Sequence, residues 1–367
     1  MPDSWDPPIE KKGPICLFRS MDLFFISGPL DPDERESSVL RKIEMLEKGY
    51  EGILFKDPYD GMARELGNIP GPESRLDVEP WLLPAPPKSM SFMLTVENFV
   101  AFIDSNGCLE YAKKVGGLVE GGLPSVPVMV GVDHSLTGGA LEALSMELGG
   151  ESIRLIVFDS HFDFILPSIR CGLIQYDLET NPETKFSPTD PFIFNRPDSY
   201  NADSFLYYVL DKIPKENIFV VGVSDYPPQV AQEIEDDRVR RYVEFYKDLE
   251  ESGVHVITKE RIQRDIGSVR EALSSTAFPY TYVSVDVDVC SNTSIKGARF
   301  LDYYGVDHSD LYGLVASIKK SLKTSKLVGL DFMEFDIYNA GSERSGKADR
   351  TYQIAAEAMK RLLWQQP

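Results

Sequence analysis

The sequence has few cysteines, few histidines and no long apolar segment. The four cysteines are too few and too scattered for a disulfide scaffold, and no CxxC pair indicates a zinc site: Cys16, Cys108, Cys171 and Cys290. Apolar runs such as 127–132 are far shorter than the roughly 18–20 residues that cross a bilayer. The N-terminal MPDSWDPPIEKK shows no secretory signal. We therefore expect a soluble, cytoplasmic protein that does not enter a membrane.

Positive charge is also scarce. The chain has 38 Lys and Arg against 58 Asp and Glu, a formal net charge of −20 and a pI near 4.7. Because phosphate contacts need clustered Lys and Arg and no basic stripe is present, nucleic-acid binding is excluded as a function class. In contrast, 43% of the residues are hydrophobic and 11% are aromatic, which is enough for a packed core and excludes a disordered chain.

From residue 125 onward, apolar runs rich in β-branched residues alternate with segments of helix length. Such runs are typical of a parallel sheet that is buried on both faces, and the alternation predicts a doubly wound α/β fold. The predicted strands are 126–131, 154–158, 217–223, 254–258, 281–289 and 326–335. The predicted helices are 138–148, 203–213, 228–252, 259–275, 308–322 and 350–364.

The first 125 residues show less regularity, and we interpret them as an irregular N-terminal portion of a single domain spanning 1–367. Within this portion, 22–27 predicts a strand and 34–49 a charged amphipathic helix. Six prolines in 69–88 forbid a regular helix or a central strand. This Pro-rich loop is open to three interpretations: a domain linker, a loop packed over the domain, which its Trp81 and Leu82 favour, or a functional lid.

Three predicted strands end in residues of metal-binding type, at the edge where such sheets bind ligands. The segments GVDHS (131–135), DSHFD (159–163) and DVDV (286–289) supply six potential ligands: His134, Asp159, His161, Asp163, Asp286 and Asp288. In an extended chain, residues i, i+2 and i+4 point to the same side. The acids and the histidine of DSHFD are therefore expected to converge, as are the two acids of DVDV.

Carboxylates crowded into one crevice repel each other and are costly to bury, yet the three segments contain no Lys or Arg. Six ligands suit two divalent ions with bridging carboxylates. Oxygen-rich ligands with some imidazole favour manganese over zinc, and nickel or cobalt would also fit. Each segment alone has a structural alternative, because a lone DxD can cap a helix and Asp133 or Ser135 could cap 138–148. The metal interpretation depends on the three together.

Taken in this order, the segments resemble the signatures of the ureohydrolase family, which includes arginases, agmatinases and formimidoylglutamases. GVDHS is similar to the family's GGDHS, DSHFD to DAHxD, and SVDVD (284–288) to SxDxD. GLDFMEF (329–335) resembles the strand whose Glu contacts the substrate guanidinium, which is Glu334 here. The resemblance covers about 125–365 and identifies the chain as a divergent member. It implies a three-layer α/β/α sandwich with a mostly parallel sheet, two Mn²⁺ ions bridged by a hydroxide, and a homo-oligomer.

The resemblance also implies a role for each matching residue. One ion would be held by His134, Asp159, Asp163 and Asp286, and the other by Asp159, His161, Asp286 and Asp288. The hydroxide would attack the guanidinium carbon, Glu334 would hold the planar cation, and Asp163 would handle protons as urea and an amine leave. The implied partner is a small cationic guanidino substrate.

The sequence departs from the family mainly around the substrate. No histidine lies between His161 and His255, so the proton-shuttling histidine of arginases has no counterpart. GVSDYPP (222–228) resembles the family's GxRD turn and keeps Asp225 as a predicted substrate contact, but Pro227 replaces the acid that reads the amino group of arginine. SVDVD is followed by a segment in which only Gly297 matches.

These departures predict hydrolysis of a guanidino or amidino C–N bond that is agmatinase-like more than arginase-like. Two rival hypotheses remain open at this stage. The same metals could hydrolyse another small amide or imine, or the chain could be a catalytically silent relative that binds a ligand. Intact ligand positions argue against the silent relative.

Overall fold

The computed structural model describes residues 22–67, 69, 72–188, 196–275, 277–344 and 347–364. Eight strands form one sheet: β1 (Leu23–Gly28), β2 (Ser74–Arg75), β3 (Val126–Gly131), β4 (Ile153–Phe158), β5 (Ile218–Val223), β6 (His255–Thr258), β7 (Tyr280–Asp286) and β8 (Lys326–Met333). A separate antiparallel pair consists of β9 (Glu343–Arg344) and β10 (Lys347–Ala348). The large sheet has the order β2-β1-β3-β8-β7-β4-β5-β6 and is parallel throughout. The predicted parallel α/β fold is confirmed.

Helices cover both faces of this sheet. In the described part of the chain they are α1 (Glu36–Glu47), α2 (Pro58–Leu66), α3 (Val96–Asp104), α4 (Gly107–Gly122), α5 (Leu136–Leu148), α6 (Pro167–Thr180), α7 (Phe205–Val209), α8 (Asp237–Glu251), α9 (Lys259–Arg264), α10 (Ile266–Leu273), α11 (His308–Ser321) and α12 (Thr351–Leu363). Successive strand side chains point to opposite faces, so Leu155 packs in one hydrophobic core and Ile156 in the other. The two cores give the predicted three layers.

The N-terminal portion is more regular than the sequence predicts. Its described residues contribute β1, β2 and α1 to α4, and β1 pairs with β3 along its length. The predicted strand 22–27 and helix 34–49 correspond to β1 and α1, but the expected irregularity is wrong for the rest. Helix α4 is rich in glycine, which has a low helix propensity, and it forms because it packs closely on α5, where a Cβ at Gly139 would meet Ala112 O at 1.8 Å. Residues 1–21, including Cys16, lie outside the described residues.

The described part of the Pro-rich loop, 69 and 72–88, lies against the domain. Trp81 is 8% exposed and Leu82 is fully buried. Asp31 N donates to the Leu82 carbonyl at 2.8 Å, and Tyr338 Oη donates to the Pro84 carbonyl at 2.6 Å. These contacts favour the interpretation as a loop packed over the domain, although Pro70 and Gly71 lie outside the described part of it.

Several predicted elements have different bounds in the structure. The predicted helix 203–213 shortens to α7, 228–252 becomes a 3₁₀ turn followed by α8, and 259–275 divides into α9 and α10 at Asp265. Helix α6 lies in a stretch for which no element is predicted. The predicted strand 281–289 ends at Asp286, because its side chain accepts a bond from Asp288 N at 2.8 Å and caps a 3₁₀ turn. Among the described residues, no helix combines the length and apolarity needed to cross a bilayer.

The strand order creates the crevice in which the predicted ligands meet. β3, β8, β7 and β4 are adjacent in the sheet, although β3 and β4 are consecutive along the chain. Two strands that come later in the chain, β8 and β7, therefore lie between β3 and β4. At such a topological switch point, a crevice opens beyond the carboxyl ends of the strands. The four segments GVDHS, DSHFD, SVDVD and GLDFMEF all end at this edge.

Candidate metal centre

His134 is the first predicted ligand along the chain, and it is fully buried between β3 and α5. Asp133 Oδ1 accepts from Ser135 N at 3.2 Å, forming the turn that directs the histidine inward. His134 Nε2 lies 2.8 Å from Ser284 Oγ, and this hydroxyl donates its single proton to Asp331 Oδ1 at 2.5 Å. Ser284 therefore accepts from the His134 ring, so the proton is on Nε2. Nδ1 is left with a free lone pair, as a metal ligand requires.

Asp331 anchors this chain of hydrogen bonds from β8. Its other oxygen accepts from Thr137 Oγ1 at 2.9 Å and from Tyr282 Oη at 2.6 Å, and all these groups are buried. Sequence reasoning missed Asp331 and the role of Ser284. Both residues stand inside the segments that were used for the resemblance, SVDVD and GLDFMEF, so a polar residue within an otherwise apolar strand was the available signal.

The segment DSHFD brings its three candidate ligands together, but not by the geometry that the sequence predicts. Strand β4 ends at Phe158, and Asp163 has a left-handed φ of 52°, so 159–163 is a loop and not an extended chain. A hydrogen bond from His161 N to Asp159 Oδ1, 2.6 Å long, forms the first bend. The predicted convergence is present, whereas the alternation offered as its reason is wrong. The same correction applies to Asp286 and Asp288, which are joined by a 3₁₀ turn.

Two groups of potential ligand atoms result, and they share Asp159. In the first, His134 Nδ1 lies 3.1 Å from Asp159 Oδ2 and 3.0 Å from Asp163 Oδ2. In the second, His161 Nδ1 lies 3.0 Å from Asp288 Oδ2 and 3.5 Å from Asp159 Oδ1.

Asp286 lies beside the first group. Its Oδ2 atom is 3.6 Å from His134 Nδ1, and its Oδ1 atom accepts the bond from Asp288 N. The structure thus brings all six predicted ligands to one place at the sheet edge.

Two carboxylates of the centre, Asp159 and Asp288, share a pattern that fits a bound cation. A backbone amide donates to one oxygen of each: His161 N to Asp159 Oδ1 at 2.6 Å and Ser160 N to Asp288 Oδ1 at 3.2 Å. The second oxygens, Asp159 Oδ2 and Asp288 Oδ2, are buried without a hydrogen-bond partner, as is His134 Nδ1. Buried polar atoms are normally satisfied, so unpartnered acceptors that face each other indicate the place of a positive ion.

Electrostatics point the same way. Burial raises the pKa of Asp163 well above the ordinary range, and the Asp159 charge raises it further. Burial and the Asp288 charge do the same to the pKa of Asp286. Burial alone would lower the pKa of His134, but the negative charges of the adjacent Asp159 and Asp163 outweigh it and raise that pKa. The carboxylates therefore require positive charge, which divalent ions would supply.

Glu334 follows β8 and adjoins the first group. It also has a left-handed backbone, with a φ of 64°, a strained conformation that is common at functional sites. Its Oε1 accepts from His134 N at 2.9 Å, and its Oε2 is buried without a hydrogen-bond partner. Burial raises the pKa of Glu334 to about 8, against the charge of Arg299 and with the help of Asp133. The free oxygen can accept an N–H from a ligand in the cleft.

The cleft in front of these residues has a volume of about 110 Å³, and Glu334, His134, His161, Asp163 and Asp286 line it. Asp225 is not among its lining residues. Asp225 lies beyond β5, where its backbone carbonyl accepts from Tyr242 Oη. Burial raises the pKa of its side-chain carboxyl group. Its predicted contact with a substrate stays a prediction.

Three arginines on the cleft wall were not singled out from the sequence: Arg35, Arg170 and Arg299. Arg35 pairs with Asp33 and stacks on Phe300, with its Cζ 3.7 Å from the ring centroid. Arg299 is the closest to Glu334, with Nη1 3.7 Å from Oε2. Apart from its position after SVDVD, the sequence carries no signal for this contact.

The Arginase family model matches residues 101–364 of this chain, and the chain belongs to that family as a divergent ureohydrolase. The fold is therefore a hydrolase fold of the ureohydrolase type. The family is known for a binuclear metal centre, and the two side-chain groups around Asp159 are candidates for its ligands. A search of curated protein sequences finds no match.

Solved structures share the fold at low sequence identity. The arginase from Bacillus cereus has 16% identity and a TM-score of 0.56, and the match covers 94% of this chain and 99% of that one. Formimidoylglutamase from Bacillus subtilis subsp. subtilis str. 168 has 15% identity and a TM-score of 0.55, and the match covers 94% of this chain and 86% of that one. Agmatine ureohydrolase of Thermoplasma volcanium has 14% identity and a TM-score of 0.50, with 94% of this chain and 89% of that one covered.

Proposed function

We propose that the protein is a binuclear metal-dependent hydrolase that cleaves a guanidino or amidino C–N bond and releases urea and an amine. The observation that carries this proposal is the set of buried, unpartnered acceptors His134 Nδ1, Asp159 Oδ2 and Asp288 Oδ2, next to the free oxygen of Glu334. Such an arrangement supports the proposal, because it would suit bound cations beside an acceptor for a substrate N–H. A silent relative would have no evident reason to keep both.

The protein's own residues have distinct roles in the proposed reaction. Two divalent ions, when bound, supply a hydroxide at neutral pH and polarise the substrate. Glu334 orients the substrate by accepting an N–H at Oε2, because Oε1 is already engaged by His134 N. Asp163 lines the cleft and takes the proton of the attacking water to the leaving nitrogen, so that water adds across the C–N bond.

The proposed activity resembles that of an agmatinase more than that of an arginase in its substrate. The proposed metal is manganese, with nickel or cobalt as alternatives. Pro227 stands where arginases carry the acid that reads the amino group, and the described chain has no histidine on the cleft besides His134 and His161. We propose a small guanidino compound as partner, and we keep the homo-oligomer and the cytoplasmic location as predictions.

A second candidate function is hydrolysis of another small amide or imine at the same centre. The contact of Arg299 with Glu334 favours it, because a resident cation lowers the need for a charged substrate.

A panel of guanidino compounds, assayed with protein loaded with manganese, nickel or cobalt, tests the proposal by urea release. The matched control is Asp288→Asn, which keeps the shape of the side chain but removes the charge of one predicted ligand. Urea from the unmodified protein and none from the variant is the expected result. Ammonia without urea would favour the second candidate, and no product from any compound would contradict the proposal.

A further inference from the structure

A positively charged side chain is built into the pocket in which the substrate's cation is expected. The Arg299 guanidinium is 8% exposed and forms a close ion pair with Asp31. Its Nη1 atom lies 3.7 Å from Glu334 Oε2 and 4.0 Å from Asp133 Oδ2. One arginine therefore faces three carboxylates, which come from the ends of three different strands.

Arg299 is held in this position by the backbone as well as by charge. Arg299 N donates to the Glu334 carbonyl at 3.3 Å, and Ala298 forms an antiparallel bridge with Phe335. Asp31 is in turn fixed by Lys42, whose Nζ lies 3.1 Å from Asp31 Oδ2 and donates to the Asp31 carbonyl at 2.6 Å. The cation is thus part of the folded pocket and cannot swing into solvent without breaking these contacts.

The position of Arg299 affects which ligand group can use Glu334. Glu334 lines the cleft, and its Oε2 is buried without a hydrogen-bond partner, so this oxygen can accept one N–H from a ligand. A guanidinium bound there would bring a second full positive charge close to Arg299 in a desolvated site, where like charges repel strongly. An uncharged N–H donor of the same shape would make the same hydrogen bond without that repulsion.

We propose that Arg299 is a specificity-determining residue that makes this centre prefer, among amidino-type compounds, those whose reacting C–N group is weakly basic and therefore uncharged. This inference rests on the proposed function, because it concerns the substrate of the same site. It narrows the substrate class from strongly basic alkylguanidines to guanidino and amidino compounds whose basicity is lowered by an electron-withdrawing substituent.

Binding of two isosteric probes, N-butylguanidine and N-butylurea, to the manganese-loaded protein tests this inference by calorimetry. The first probe is charged at neutral pH and the second is not. We expect the unmodified protein to bind N-butylurea at least as tightly as N-butylguanidine. In Arg299→Met, the dissociation constant for N-butylguanidine should fall about tenfold, and that for N-butylurea should change less than twofold.

Two further variants separate contact from general charge. Arg299→Lys keeps the positive charge and should keep the preference of the unmodified protein. Arg35→Met removes one positive charge from the same cleft wall without touching Glu334, and the ratio of the two constants should change less than threefold. Arg299→Gln removes the same charge while keeping an amide donor for Asp31, so it replaces Arg299→Met if that variant does not fold.

The inference would be overturned if the unmodified protein bound N-butylguanidine more tightly than N-butylurea, or if it did not bind N-butylurea. It would also be overturned if the ratio of the two dissociation constants were unchanged in Arg299→Met or Arg299→Gln. If a guanidino compound is hydrolysed but the ratio of the two dissociation constants is unchanged in the uncharged variants, this inference is wrong and the proposed function stands. If the dissociation constants change as expected but no amidino-type compound is hydrolysed, the proposed function is wrong and the binding preference set by Arg299 stands.

Discussion

Two groups of residues at and behind the cleft, the ligand half and the glutamate half, balance their negative charge in opposite ways. The ligand half comprises the six residues His134, Asp159, His161, Asp163, Asp286 and Asp288. Among the described residues, no Lys or Arg lies within ion-pair distance of its carboxylates. The glutamate half comprises Asp31, Asp133, Glu334, Lys42 and Arg299, and there each carboxylate lies within 4.0 Å of a cationic side chain.

This difference separates what the fold completes by itself from what it leaves to a bound ion. In the ligand half, acceptors are buried without partners, so we expect bound cations to stabilise it. In the glutamate half, the cations belong to the chain, so its electrostatics are set on folding. The first half is therefore expected to depend on metal concentration, and the second to depend on which side chain stands at 299.

The largest expected effect is that of Asp159→Ala. Asp159 is shared by both groups of ligand atoms, so its loss removes a ligand from each. We expect about a 10³-fold loss of hydrolysis together with a fall in bound metal, measured by urea release and metal analysis. Near-normal metal content and activity would contradict the assignment of the ligand half.

The next effect is that of Ser284→Ala, which breaks the chain from His134 Nε2 to Asp331. Groups that orient a metal-binding histidine typically contribute about 10- to 100-fold in metal affinity, and we expect a loss in that range by competition with a chelator. Ser317→Ala is the control, because it removes a buried hydroxyl that bonds the Gly313 carbonyl of its own helix. Equal affinities in the two variants would show that Ser284 does not set the tautomer.

Metal dependence of thermal stability compares the two halves directly. Manganese at about 100 times its dissociation constant should stabilise the folded state by about 2.7 kcal/mol and raise the Tm by roughly 3–6 °C, measured by calorimetry against chelated protein. Asp159→Ala should abolish this shift, whereas Arg299→Met should retain it while lowering the Tm of both forms. A metal-dependent shift that disappears in Arg299→Met would mean that the halves are not separate.

The smallest effect concerns Glu34, on the wall of the same cleft, whose cation Arg196 lies 3.5 Å away. Burial raises the pKa of Glu34 to about 7, against the charge of Arg196 and with the help of Asp33. An acid with a raised folded-state pKa costs stability above its unfolded pKa, so this cost grows as the pH rises from about 4.5 to 7 and is complete above 7.

Glu34→Gln removes that cost. We expect it to be more stable than the unmodified protein above pH 7, by about 1 kcal/mol because the side chain is partly exposed, and equal to it near pH 4. Urea unfolding at the two pH values measures the difference. Glu36→Gln controls for the loss of one negative charge in the same segment, and an equal gain in both variants would rule out the effect of burial at Glu34.

Much of the site could be predicted because its signals are local in the chain. Apolar runs locate β3, β4, β7 and β8, and ligands of a parallel sheet bind beyond the carboxyl ends of strands, so Asp159 and Asp288 could be placed together. The predicted alternation of side chains was wrong where the backbone is not extended, as at Asp163, because hydrogen bonds between side chains and backbone bend the loop. Helix α4 was missed because its contact with α5 outweighs the low helix propensity of its glycines.

The sequence by itself determined the parallel α/β fold, the types of ligand and the strand ends from which they project, because hydrophobic periodicity and residue chemistry act over a few neighbouring residues. Only the tertiary structure decided which oxygens remain free and which cation faces Glu334. Arg299 contacts Asp31 across 268 positions of the chain, and such a contact depends on how distant segments pack, which neither local sequence indicates. The pairing of charges at this cleft is therefore decided by the tertiary structure, whereas the candidate metal ligands can be predicted from the local motifs.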